Sequence, residues 1–251
     1  MGRYRKEEDG MYLPMIKKIV NLRPTYGYKR VTAIINKDLE KQGLRRINRK
    51  RVYRIMKLNG LILPKSGEVR NNHQGTGKIE VLHSNTRWCS DAFEIKCWND
   101  ERVYVAFVLD SCDREAIGYV ARKQPLVAAD IEELMINSIW ERFKDKRAPR
   151  TIQFLSDRGC IYRADTVRAT GRKLGLTSCY TAPYSPSSNG MAEAFVGTIK
   201  RDYVYTNDCH SAKEVLKLLK SWFNDYNINA PHSGLGMVSP AEFIRQNEGV
   251  N

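Results

Sequence analysis

At Thr86 the apolar residues change period, and that change divides the chain into two kinds of structure. Before it, in "YKRVTAIINKDLEKQG", Val31, Ile34, Ile35 and Leu39 recur every three or four residues. That is one face of a helix, and Gly43 is placed to end it. In "INRKRVYRIMKLNG", Asn48 is placed to cap a second helix. Val52, Ile55 and Met56 form its apolar stripe and Gly60 its stop. After Thr86, "TRWCSDAFEIKCW" alternates. Cys89, Phe93, Ile95 and Cys97 take one face of a strand; Ser90, Glu94 and Lys96 take the other. Asn99 and Asp100 signal a hairpin turn. "RVYVAFVLD" is apolar on both faces, as a central strand is, and "EAIGYVA" reads as a third strand.

The remaining elements alternate in type. A helix over about 127–143 aligns Val127, Ile131, Leu134, Met135 and Ile139. "TIQFLSD" is a strand, 164–174 a short helix, "LTSCYTA" a strand, and "GMAEAFVGTIKRDY" a helix. A last long helix, 211–226, sets Val215, Leu218, Leu219, Trp222, Phe223 and Tyr226 in register for a core. Three hairpin-linked strands followed by helical crossovers predict an α/β fold with a mixed five-stranded sheet and flanking helices. A small basic all-α segment of helix-turn-helix type precedes it. The expected boundaries are 1–65 for the basic helical segment, 66–78 for a polar, Gly-rich linker, 79–230 for the core, and 231–251 for a tail packed on the core.

Charge follows the same division. Residues 1–78 hold 20 Lys and Arg against 6 Asp and Glu, whereas residues 79–251 hold 22 of each. The whole net charge of +14 therefore lies in the first third. Such a segment suits a polyanion, and nucleic acid is the default, because each neutralised phosphate releases counterions. Arg49, Lys50, Arg51, Arg54 and Lys57 form the polar side of the second helix and are the candidate DNA contacts there. No apolar run approaches the roughly 20 residues of a membrane span, and no signal segment opens the chain. A soluble, cytoplasmic protein is expected. The six cysteines show no close pairing and read as reduced structural thiols. His73 and His83 precede Cys89 and Cys97, but that spacing is too wide for a zinc knuckle.

Three acids stand out. Asp91 shares strand parity with the apolar face, where an ionised carboxylate is costly unless paired or metal-bound. Asp157 ends an apolar strand just before a glycine turn, the place where sites gather in open α/β sheets. Glu193 stands in the first turn of its helix, at the edge of the apolar group Ala192, Phe195, Val196, Ile199 and Tyr203. Gly197 and Lys200 lie almost above it, so a nucleic-acid strand has clearance there. Each acid alone is equally well a surface or turn residue. Together, carboxylates without a histidine base suit hard divalent cations such as Mg²⁺. Two such ions about 3.5–4 Å apart support in-line displacement at phosphorus. Asp110 and Asp113, after the second strand, are the lesser candidates.

Thirty-five residues separate Asp157 from Glu193, and a basic residue follows the Glu by seven. With Asp91 upstream, this resembles the DDE core of retroviral-type integrases and insertion-sequence transposases. It is most similar to the second-frame product of the insertion-sequence family numbered three, subgroup two. The stretches "TYGYKRV", "NRKRVYRIMKLNGL", "RWCSDAFE", "LDSCDREAIG", "SDRGCIYRA", "SPSSNGMAEAFVGTIKRDY" and "PHSGLG…SPAEF" carry the likeness.

The resemblance implies a ribonuclease H-like fold, Mg²⁺ or Mn²⁺ as a pair of ions, and Asp91, Asp157 and Glu193 as catalytic metal ligands. It implies Lys200 or Arg201 as a DNA-end contact, and DNA strand cleavage followed by transfer by the 3′-hydroxyl. The implied partners are element and target DNA, further copies of the chain and the upstream-frame DNA-binding protein, at a bacterial nucleoid. Departures fall at Ala230 and Met237, where Arg and Tyr are usual, and at Cys160, where Ser is common. An idle DNA-binding remnant or regulator of transposition is the alternative that these departures keep open.

Overall fold

In the computed structural model, which describes residues 9–64, 81–181 and 189–247, the chain divides into two units, one of Met1–His73 with Ala230–Ser239 and one of Gln74–Asn229 with Pro240–Asn251. The expected linker at 66–78, His73 and the Pro/Ser-rich stretch at 183–188 lie outside the described residues.

Among the described residues, the first unit contains three helices: α1 (Asp9–Leu22), α2 (Tyr28–Lys41) and α3 (Arg49–Leu58). The two expected helices are α2 and α3. Asn48 caps α3 by accepting the Lys50 N–H at 2.8 Å. Gly43 and Gly60 take left-handed backbones past the two helix ends, at φ 69° and 68°. The turn between α2 and α3 is held by one side chain. Asn36 accepts from Ile47 N at 2.8 Å, and its amide donates to Ile47 O at 3.2 Å. The sequence reading did not find α1, because Pro14 lies inside it and removes a helical N–H. Packing overrides that loss. Tyr12, Ile16 and Ile19 are buried against Val31, Ile35, Leu39, Val52 and Ile55. Burying each Ile or Leu is worth about 1.5–3 kcal/mol. Residues Ala230–Ser239 group with this unit and close a short loop through a His232–Val238 bridge.

The second unit is built on one sheet. Its strands are β1 (Arg87–Lys96), β2 (Arg102–Asp110), β3 (Ala116–Arg122), β4 (Ile152–Ser156) and β5 (Leu176–Tyr180), in spatial order β3-β2-β1-β4-β5. The first three pair antiparallel; β1–β4 and β4–β5 pair parallel. On one face pack α4 (Ala128–Phe143), α5 (Cys160–Arg163) and α6 (Asp165–Leu174), over Trp88, Ala106, Val108 and Phe154. On the other pack α7 (Gly190–Asp202) and α8 (Ala212–Asn229), over Cys89, Phe93, Ile95, Val105 and Phe107. A short α9 (Pro240–Asn247) packs along α8. This is the ribonuclease H-like mixed sheet that the resemblance implies.

One strand residue departs from the expected faces. Glu94 and Lys96 are exposed, but Ser90 is wholly buried. The β1–β4 pairing and the helices over it cover both faces of the first half of β1, so only its second half alternates between core and solvent.

Candidate active site

The strand register brings the two aspartates to one place. Cys89 pairs with Leu155 across β1 and β4, so continuing the parallel register by two residues sets Asp91 opposite Asp157. Both share the parity of Cys89 and Leu155, which pack on the α7 side of the sheet. Asp91 is half-buried, and its Oδ1 accepts from the Ala92 N–H at 2.8 Å. Burial pushes its carboxyl above the usual range, against the pull of that hydrogen bond, and the charges of Asp157 and Glu193 push it further. The three acids thus share one field.

Asp157 is exposed, one residue past the end of β4. Its Oδ1 accepts from the Gly159 N–H at 2.9 Å. A Cβ at Gly159 would stand 3.0 Å from that same oxygen, so the glycine leaves room around the carboxylate. Glu193 is exposed in the first turn of α7. The helix is anchored by Ala192, Phe195 and Ile199, with the Phe195 ring 4.4 Å from that of Phe107 on β2. Along the same helix, Gly197 faces open space, with nothing within 4 Å of where its Cβ would be. Lys200 is half-buried, its Nζ 5.9 Å from the centre of the Phe93 ring. Arg201 forks onto the buried Asp202 carboxylate at 2.7 and 2.8 Å.

Sequence reasoning did not single out the residues behind the aspartates. Ser90 Oγ donates to Phe107 O at 2.7 Å and lies 3.0 Å from the Tyr162 hydroxyl. Tyr162, on α5, is buried, and its backbone carbonyl accepts from the Tyr180 hydroxyl at 3.3 Å. Burial drives the Tyr162 hydroxyl strongly toward its neutral form, and the charges of Asp91 and Asp157 act in the same direction. This chain ties β1 to the helical turn that follows Asp157. The only available signal was that a hydroxyl stood in the first half of a doubly covered strand.

None of Asp91, Asp157 and Glu193 forms an ion pair among the described residues. Among those residues, too, no three His, Cys, Asp or Glu side chains are gathered closely enough to hold a metal ion. The structure thus sets Asp91 opposite Asp157 and leaves the oxygens of all three acids without a cation among the described residues, but it does not gather the three into one ligand set. Oxygen donors of this kind fit Mg²⁺, which keeps several waters and takes only one or two carboxylates with phosphate oxygens. Asp110 and Asp113 are a different object. Both are buried, and Arg142 pairs with Asp113 at 2.5 Å.

In the first unit, Arg49, Lys50 and Lys57 are exposed along α3, whereas Arg51 and Arg54 pair with Asp9 of α1 at 2.8 and 2.5 Å. A groove of about 950 Å³ runs beside them, lined among others by Tyr12, Arg45, Arg46 and Lys50. No helix of the described residues is long and apolar enough to cross a membrane.

Two family models described as integrase core domain match residues 82–186 and 174–240, and one described as an HTH-like domain matches residues 6–66. Transposase InsD for insertion element IS2A/D/F/H/I/K of Escherichia coli is 40% identical over 245 residues, covering 97% of this chain and 81% of the relative. The InsD transposase for IS2D of strain K12 matches to the same extent. Among solved structures, the simian T-cell lymphotropic virus intasome complex superposes with a TM-score of 0.54 at 14% identity, over 91% of this chain and 73% of that one. The HTLV-2 integrase catalytic core domain does so with a TM-score of 0.50 at 10% identity, over 66% and 99%. These two share the fold. With both parts of an integrase core and a helix-turn-helix-like domain matched in order, and 40% identity along almost its whole length, the chain belongs to the IS2-type insertion-element transposases, DNA polynucleotidyl transferases of the DDE type.

Proposed function

We propose that Asp91, Asp157 and Glu193 are the catalytic acids of this transposase and together hold Mg²⁺ or Mn²⁺, as two ions, at the ends of the element. The observation that carries the reading is the β1–β4 register, which sets Asp91 opposite Asp157, with no ion pair to any of the three acids among the described residues. Metal-dependent catalysis is typical of the family. Bound by these acids, such ions would supply Lewis acidity toward the attacking water or 3′-hydroxyl and the departing oxygen.

The protein's own part is placement. Burial and the Ala92 N–H fix the Asp91 carboxylate, and Gly159 keeps the Asp157 oxygens accessible. Gly197 gives the DNA backbone clearance between Glu193 and Lys200, and Lys200 holds a phosphate as a point charge. Arg201 stands beside it, already forked on Asp202, so Lys200 is the favoured of the two contacts. The exposed cations of α3 anchor duplex DNA electrostatically. The working form contains more than one copy of the chain with the DNA, in a bacterial cytoplasm, and the upstream-frame protein adds end recognition.

Cleavage and joining on labelled element ends test the reading. Asp91→Asn, Asp157→Asn and Glu193→Gln are each expected to abolish Mg²⁺-dependent cleavage and to leave DNA binding intact. Full activity in any one of them sinks the assignment.

A further inference from the structure

Helix α3 carries five cations, and the structure separates them by direction. At about 100° per residue, Arg49, Tyr53, Lys57 and Lys50 fall within one stripe about 100° wide, and Arg54 and Arg51 lie beyond its edge. The stripe is exposed along its length. Tyr53 stands among its three cations, 40% exposed, with the ring of Tyr28 set edge-on at 5.0 Å. The other two arginines turn inward. Arg51 Nε donates to Asp9 Oδ1 at 2.8 Å and Arg54 Nη2 to Asp9 Oδ2 at 2.5 Å. The Arg51 guanidinium also lies 4.9 Å from the centre of the Tyr12 ring. Each of these groups thus already has a carboxylate in the role that a phosphate would take.

We infer that α3 reads duplex DNA with the stripe Arg49, Lys50, Tyr53 and Lys57, that Tyr53 is its specificity-determining residue, and that Arg51 and Arg54 are positioning residues that fasten α1 to α3 through Asp9. The inference rests on the reading of α3 as a DNA-facing helix. The chemistry divides accordingly. Cations at both ends of a helix contact phosphates and set its register without reading sequence. A braced aromatic residue between them offers an apolar ring edge to a thymine methyl and a hydroxyl to a base edge in the major groove. Arg49 and Lys50 occupy the first turn, where recognition helices make their first contacts.

The test uses the full chain, a duplex carrying the terminal sequence of the element that encodes it, and an unrelated duplex of equal length, over a salt series. Arg49→Ala, Lys50→Ala and Lys57→Ala should each weaken binding to both duplexes and flatten the log affinity–log salt slope by about 0.9. Tyr53→Ala should keep the slope and lower the preference for the terminal duplex about tenfold. Arg51→Met should lower the melting temperature and keep both slope and preference. A slope flattened by about one unit in Arg51→Met overturns the division. Should that variant fail to fold, Asp9→Asn decides. An unchanged slope supports the inference, and a steeper one shows the released arginines reaching DNA and overturns it. Wild-type slopes in all three stripe variants overturn the inference together with the DNA-facing reading beneath it. A change at Arg51 alone leaves that reading standing.

Discussion

Two sets of three carboxylates stand in the α/β unit, and their surroundings differ in kind. Asp110, Asp113 and Glu115 gather where β2 turns into β3. Arg142, reaching down from α4, pairs with Asp113 and Glu115 and donates to Asn85 Oδ1 at 2.8 Å. Asp110 accepts from Asn85 N, Cys112 N, Asp113 N and Trp88 Nε1. Burial and the nearby Asp113 charge still push its carboxyl up to about 6. Asp91, Asp157 and Glu193 form the second set. They share a field but no arginine among the described residues, and two of the three are exposed. A cluster whose carboxylates are tied to Arg142 and to backbone and side-chain donors fastens strands and helices. Carboxylates open to solvent and without an arginine keep their lone pairs for water or, in the proposed reading, for a cation.

The largest expected effect separates the sets by activity. Any of Asp91→Asn, Asp157→Asn and Glu193→Gln should reduce strand cleavage by well over the roughly 10²-fold seen when residues merely supporting a metal ligand are lost. Asp113→Asn should leave the chemistry of the correctly folded fraction intact. Equal losses in both sets, measured per folded molecule, would erase the distinction.

Stability should run the opposite way. Arg142→Met leaves Asp113 and Glu115 buried without their cation and should cost about 3–5 kcal/mol in urea unfolding. A loss below about 1 kcal/mol would mean that the cluster is not held by charge.

A smaller effect concerns pH. The folded pKa of Asp91 lies above its unfolded value, so its contribution favours the fold at low pH and is lost as pH rises through the raised folded pKa. Asp91→Asn keeps the Oδ1 acceptor for Ala92 N and removes the charge. The variant should therefore be more stable than the parent at neutral pH without metal, and the difference should vanish below the ordinary carboxylate range. A variant less stable at neutral pH contradicts the shared field.

Tyr162→Phe removes the hydroxyl beside Ser90, while Ser90 keeps Phe107 O, and should cost about 1 kcal/mol. If the network also positions Asp157, Mg²⁺ affinity by calorimetry will fall with it; unchanged affinity confines Tyr162 to packing. The smallest stability change is expected at Gly197→Leu, a gain of about 0.5–1 kcal/mol from helix propensity, with joining reduced. Undiminished joining would remove Gly197 from the DNA path.

Much of this was legible in the residues themselves. The period change at Thr86 separated a helical region from a strand-built one, since side-chain direction repeats every 3.6 residues in a helix and every two in a strand. Strand parity and strand-end position marked Asp91 and Asp157, and the apolar group on α7 set Glu193 at its edge. Other features were not legible, because they depend on partners far away in the chain. Pro14 hid α1, which the buried Tyr12, Ile16 and Ile19 and the Asp9 pairs to α3 hold in place. Ser90 looked polar and exposed until Tyr162, 72 positions on, supplied its partner. Asp9, 42 positions before Arg51, divided a helix face that read as uniformly basic.

The sequence by itself determined the order of the strands and of the longer amphipathic helices from α2 on, the separation of basic and neutral regions, and the three candidate acids, because periodicity and charge are properties of neighbours along the chain. The tertiary structure decided which charges are already spent. Whether a carboxylate meets an arginine or open solvent depends on contacts across tens of residues, and those contacts distinguish Asp113 from Asp157 and Arg51 from Lys50.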